Sequence, residues 1–378
     1  MQINKINNTN FKGYDAIPLK GLYMQGLRTR GELNIFREMR AIARKEGIDI
    51  FFNQNNTQIT PEIIKTKIID TALSIWGQDR KAFVQNKNGK TILWHSSEQV
   101  LDKNNLAELK NFNIFPEKFL PRGGNFFIGY KPNGEKWLLI NSMSVYSDES
   151  FDKFHDLPKE THLTELFNVK KENIYQINEF SDDLDEKIRP IGYPYILVND
   201  FELSLNNLEK MKKIFPKGSE VYSSLKKYIF NQLENQLENA DKTCERLKTF
   251  GFQPIKIAGR YSEGINYMNA IAFENNRGGF SYITNSTKKS YPELQYLEQL
   301  FEKELREKVP RITDTYFVSG GKRLEEEKNS NSIFELYSQG LQNRNVIMDI
   351  LENREGGIHC MTAEVPDFEK INLSFNKH

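Results

Sequence analysis

Four short β-rich segments, each entered through a glycine turn, restrict this chain to hairpins alternating with helices. They span residues 91–94, 137–141, 195–199 and 280–285. The turns before them are Asn88-Gly89, Asn133-Gly134, Gly192-Tyr193-Pro194 and Gly278-Gly279. A further strand-like stretch lies upstream of two of these turns, at 126–130 and 270–273. The spacing, roughly fifty to ninety residues, predicts repeated ββα-type units of an α/β protein.

Between the hairpins the apolar period changes to that of helices. Leu33, Phe36, Met39 and Ile42 predict a helix over 31–46, followed by a buried strand at 48–52. A stripe of Leu225, Ile229, Leu233, Leu237, Ala240, Cys244 and Leu247 predicts one long helix at about 221–250, ended by Gly251. Further helices are expected near 294–308 and 332–343. No linker composition divides the chain, so residues 1–378 are expected to form one domain.

The charge is nearly balanced, with 52 Lys+Arg against 51 Asp+Glu, which argues against a nucleic-acid or membrane-surface partner. Hydrophobic residues are only 38% of the chain, but 26 Phe and 16 Tyr supply the bulk of a core. No apolar run approaches the roughly 18 residues of a membrane span, and the polar N-terminus lacks a signal-peptide centre. With two cysteines, Cys244 and Cys360, neither a disulfide framework nor a Cys-rich zinc site is expected, and a cytoplasmic location is.

The stretch Gly356-Gly357-Ile358-His359-Cys360-Met361-Thr362 carries the most chemistry. Two glycines allow close backbone approach, and a Cys beside a His suits a thiolate nucleophile. Taken alone, the commoner reading is a buried thiol in a terminal strand. Cys244 falls in the helix stripe and reads as packing. Trp76-Gly77-Gln78-Asp79, Arg122-Gly123-Gly124-Asn125, Asp182-Asp183-Leu184-Asp185 and Asn266-Tyr267-Met268-Asn269 each read singly as turns or solvated loops.

In order, however, these pieces resemble the pentein superfamily of guanidine-modifying enzymes, and the closing Gly-Ile-His-Cys with Thr362 is most similar to agmatine and protein-arginine deiminases. The resemblance implies a five-bladed pseudosymmetric α/β propeller of ββαβ modules around one site. It implies Cys360 as nucleophile, and Asp79 and Asp185 as the carboxylates holding a guanidinium, with Trp76, Arg122, Gly124 and Asn125 around the substrate. No cofactor or metal is implied.

Two positions depart from that family. The catalytic His ordinarily precedes the second carboxylate by two residues, where this chain has Asp183. The acidic residue before Gly-Gly is here Arg122. A salt bridge between Arg122 and Asp183 is therefore expected, interchanging the usual charges. His155 and His162 are expected at the surface. His359 is the third possible substitute for the missing His, and strand alternation would point it away from Cys360. The expected activity is hydrolysis of a guanidino C–N bond in a small molecule such as agmatine or in a protein arginine. A ligand-binding pseudoenzyme and an amidinotransferase are the alternatives, and the oligomeric state is left open.

Overall fold

The computed structural model describes residues 17–24, 30–52, 67–68, 81–85, 91–95, 113–116, 123–141, 163–164, 167–177, 183–234, 239–262, 264–286, 292–318 and 358–375. Among them, five small sheets repeat one pairing pattern. A first strand runs antiparallel to the second, and a third is parallel to the second. The strands are β4 (Lys81–Gln85), β5 (Thr91–His95) and β6 (Asn113–Pro116) in one sheet. Another holds β7 (Phe126–Tyr130), β8 (Lys136–Asn141) and β9 (Ile174–Ile177). Next come β10 (Ile188–Pro190), β11 (Tyr195–Asn199) and β12 (Gln253–Ile257). The fourth has β13 (Ile271–Glu274), β14 (Phe280–Asn285) and β15 (Ile312–Val318).

The remaining sheet joins the two ends of the chain. Here the antiparallel first strand is β16 (Thr362–Pro366), which pairs with β1 (Leu19–Met24); β1 is parallel to β2 (Asp49–Phe52), and β2 to β3 (Lys67–Ile68). A parallel pair needs a long crossover, and helices supply several of these. They are α1 (Arg30–Glu46) between β1 and β2, and α2 (Phe201–Lys210), α3 (Glu220–Glu234) and α4 (Ala240–Thr249) between β11 and β12. The helix α5 (Gln295–Lys308) lies between β14 and β15. Two short helices complete the chain, α6 (Ile358–Met361) before β16 and α7 (Phe368–Phe375) after it.

Three of the cores are shared by neighbouring sheets. Leu22, Phe36, Met39, Ile271 and Ile283 form one cluster between the β1 and β13 sheets. Phe127, Trp137, Leu184 and Val198 form another between the β7 and β10 sheets. A third packs Leu197, Leu225, Ile229, Tyr282 and Phe301 between the β10 and β13 sheets.

The single helix expected over 221–250 is two helices, α3 and α4. Asn239 caps the second, its side chain accepting from the backbone N–H groups of Asp241 and Lys242 at 2.9 and 3.1 Å. Those bonds replace the continuation of a helix with a new start. The stripe accordingly serves two cores, Leu225 and Ile229 in one and Cys244 and Leu247 in another. Leu237 and the helix expected at 332–343 lie outside the described residues.

Candidate active site

The chemistry-bearing residues stand where each hairpin begins. Asn125 closes a one-turn 3₁₀ segment, Gly123–Asn125, immediately before β7. Asp185 lies in a similar turn, Leu184–Glu186, before β10. Asn269 precedes β13 by two residues, and Cys360 precedes β16 by two.

The two 3₁₀ turns are tied together by one carboxamide. Asn125 Oδ1 accepts from the Leu184 N–H and from Asn141 Nδ2, both at 3.3 Å, while its Nδ2 donates to Asp183. Asn125 is 2% exposed, and these contacts make it a structural link between β7 and β10. Gly124 permits the approach: a Cβ there would meet Asp185 Oδ1 at 2.9 Å and the Asp183 side chain at 3.1 Å. No side chain fits without displacing one of these carboxylates.

Asp185 is fully buried and is the hub. Its Oδ2 accepts from His359 Nδ1 at 2.7 Å, Asn269 Nδ2 at 2.9 Å and the Cys360 thiol at 3.3 Å. Its Oδ1 has no donor among the described residues. Burial raises its pKa to about 6, against the lowering pull of the Cys360 hydrogen bond, the Arg189 charge and Asn269. Burial also holds His359 neutral, lowering its pKa to about 3, with the nearby Arg189 cation acting in the same direction. The pair above pH 6 is thus an imidazole donating Nδ1–H to a carboxylate.

Asn269 organises the backbone around Cys360. Its Oδ1 accepts from the N–H groups of His359 and Cys360 at 2.9 and 3.2 Å. Because backbone N–H groups only donate, the carboxamide oxygen must face them. That turns Nδ2 toward Asp185, and toward Cys360 Sγ at 2.9 Å. In the sequence Asn269 reads as part of a turn and as one of the ordered pieces of the resemblance, with no role of its own. The available signal was its position two residues before a hairpin's first strand, the offset Cys360 also has.

His359 does not follow the strand expectation. Residues Ile358–Met361 form a helical turn, in which neighbours are rotated by about 100° rather than 180°. His359 and Cys360 therefore both reach Asp185. The Ile358 N–H donates to Asn285 Oδ1 at 3.0 Å, and Thr362 Oγ1 donates to the Ile358 carbonyl at 2.8 Å, fixing this turn to β14 and to itself. Exposure does not distinguish the thiols, since Cys244 is 6% and Cys360 4% exposed. Environment does: Cys244 packs with Leu247 and Phe252, and burial pushes its thiol pKa up.

Trp76, Asp79, Arg122, His155 and His162 lie outside the described residues, and with them the Arg122 side of the expected salt bridge. By sequence, Asp79 stands two residues before β4. Among the described residues no group of three or more His, Cys, Asp or Glu side chains is arranged to hold a metal ion. No described helix is long and apolar enough to cross a membrane.

No family model and no curated protein sequence matches the chain. Solved structures do match. An agmatine deiminase of C. jejuni aligns with a TM-score of 0.51 at 15% identity, over 96% of this chain and 99% of that one. A structural-genomics target provisionally assigned as an agmatine deiminase gives 0.49 at 10% identity, over 94% and 95% of the two chains. The first likeness runs through nearly the whole of both chains: this protein shares the mixed α/β fold of that agmatine deiminase.

Proposed function

We propose that the protein hydrolyses a guanidino C–N bond, with Cys360 as the nucleophile and Asp185 and Asp79 holding the cation. In this reading the five sheets are blades around one axis, and the residues opening each hairpin ring the substrate. The observation that carries it is Asp185: a buried carboxylate with one oxygen lacking a donor, 3.3 Å from a thiol through the other. A planar, permanently charged guanidinium offers the N–H groups that oxygen lacks. The Gly124 backbone leaves room beside it.

Bound cation and the Asn269 N–H both favour the thiolate. The thiolate adds to the guanidinium carbon, and ammonia or an amine departs with a proton, leaving a covalent thiouronium. Water then adds to that carbon, the C–S bond breaks, and the thiol and a ureido product are released. The net change is consumption of one water and release of one ammonium or alkylammonium.

Ureido product formation should be measured on agmatine, arginine, methylarginine and an arginine-containing peptide. Turnover of one or more, lost by at least about 10³-fold in Cys360→Ala, supports the reading. Absence of turnover on all four, with binding retained, supports the second one, a ligand-binding protein without turnover. One observation favours that second reading. The departing amine needs a proton, yet His359 is held neutral and Asp183 stands where the related enzymes carry their His.

A further inference from the structure

Beyond the catalytic ends of the hairpins, the same strands wall a second cleft. Phe127 and Tyr130 of β7, Trp137 of β8, Tyr193 after β10, Arg189 of β10 and Glu364 of β16 line it. None of Cys360, His359, Asp185, Asn269 and Gly124 does. Phe127 stands between the two places: its ring is 5.8 Å from that of His359 and 5.3 Å from the Arg189 guanidinium carbon.

The cleft is short of acceptors. Arg189 is 2% exposed and gives one terminal nitrogen to Glu364, leaving Nε and the other terminal nitrogen without partners among the described residues. Trp137, equally buried, has no acceptor for its Nε1–H among the described residues. The one carboxylate on the wall, Glu364, is already engaged by Arg189. Buried donors without acceptors mark a missing partner. A guanidinium with free N–H groups selects an oxyanion, and a carboxylate matches its geometry. The Arg189–Glu364 pair is neutral as a whole, and Lys136 Nζ, 5.9 Å from the Tyr130 ring, adds positive charge beside the wall. That favours a single negative charge over a cation. The aromatic walls suit a flat apolar body.

We infer that this cleft binds a small monocarboxylate with a flat apolar body, its oxygens on Arg189 and its body among the aromatic rings. The site is separate from the catalytic one but electrostatically joined to it, because Arg189 is among the charges acting on both Asp185 and His359. A carboxylate on Arg189 weakens that influence, so ligands at the two sites alter each other's affinity by the same factor.

The probe is sodium benzoate, titrated calorimetrically into the full chain at constant ionic strength. Saturable binding at one site is expected, with the neutral isostere benzamide at least about tenfold weaker. Arg189→Met should weaken benzoate by at least about tenfold. Because that variant strands Glu364 and could fail to fold, Ile128→Trp is the companion. Ile128 also lines the cleft, and the larger side chain fills it while leaving Arg189 in place. Benzoate binding should be lost in Ile128→Trp and kept in Cys360→Ala, whatever the latter does to turnover. Absence of saturable binding to the wild type means that only water serves Arg189 and overturns the inference. Equal binding of benzamide, unchanged binding in Ile128→Trp, or loss in Cys360→Ala would each overturn it as well.

Discussion

Asn269 bridges four groups that lie up to 91 residues from it along the chain. Replacing it by Ala strands the His359 and Cys360 N–H groups in a buried site, at about 1–3 kcal/mol per group. Urea unfolding of Asn269→Ala should register a loss in that range or above; no measurable change would mean that the carboxamide does not hold this turn. The Asp185–His359 pair makes a second, opposed prediction about pH. Burial puts the folded pKa of His359, about 3, below its unfolded value of 6.5. Its contribution is therefore present above pH 6.5 and lost as pH falls toward 3. Asp185 has a folded value of about 6 above an unfolded 3.8, so its contribution is complete below pH 3.8 and lost as pH rises through 6. Between pH 4 and 6.5 the two oppose one another. On acidification across that window, His359→Asn should lose less stability than the wild type, because the folded state no longer refuses a proton. Equal pH slopes in denaturant unfolding would mean that His359 titrates normally.

At the scale of elements, the departures from sequence reading come where a short polar side chain outcompetes periodicity. Asn239 ends one helical stripe and begins another, so Asn239→Ala should destabilise the protein by about 1 kcal/mol. Chemical denaturation tests this, and a stability unchanged within a few tenths would deny the cap its role. The helical turn at Ile358–Met361 has a similar origin. Thr362 Oγ1 bonds back to the Ile358 carbonyl, and Asn269 Oδ1 takes two of the turn's N–H groups. A strand would have sent His359 and Cys360 to opposite faces, and the two would not have shared the Asp185 carboxylate. Gly124 acts between elements. Its replacement by Ala drives a methyl group against Asp185 Oδ1, and overpacking of this kind costs about 1–3 kcal/mol. In Gly124→Ala we expect binding of a guanidino ligand to weaken more than folding does, measured by titration and urea unfolding of the same sample.

At the scale of the molecule, the C-terminal strand completes the N-terminal sheet. Leu19 through Met24 pair with Pro366 through Thr362, across nearly the whole chain, and Ile358, Ala363 and Val365 are buried there. A chain ending at residue 357 leaves β1 with an unpaired edge and removes Cys360 together with its turn. Such a truncation should lose cooperative unfolding; a sharp two-state transition would mean that the fold does not depend on β16. Local signals determine most of the hairpins, because alternation and glycine turns act within a few residues. The strands at Phe126–Tyr130, Tyr195–Asn199 and Phe280–Asn285 lie where their patterns place them. Cys360 and Asp185 are singled out in the sequence by the order of short motifs, and the structure brings them to within 3.3 Å of one another. What the sequence could not determine is which side chains meet. Asp185 finds Asn269 across 84 residues and Cys360 across 175. The pairing of sheets makes those meetings, and it alone excludes water from Asp185 and His359. Their charge states follow from that burial, a property of the folded interior that no local run of residues possesses.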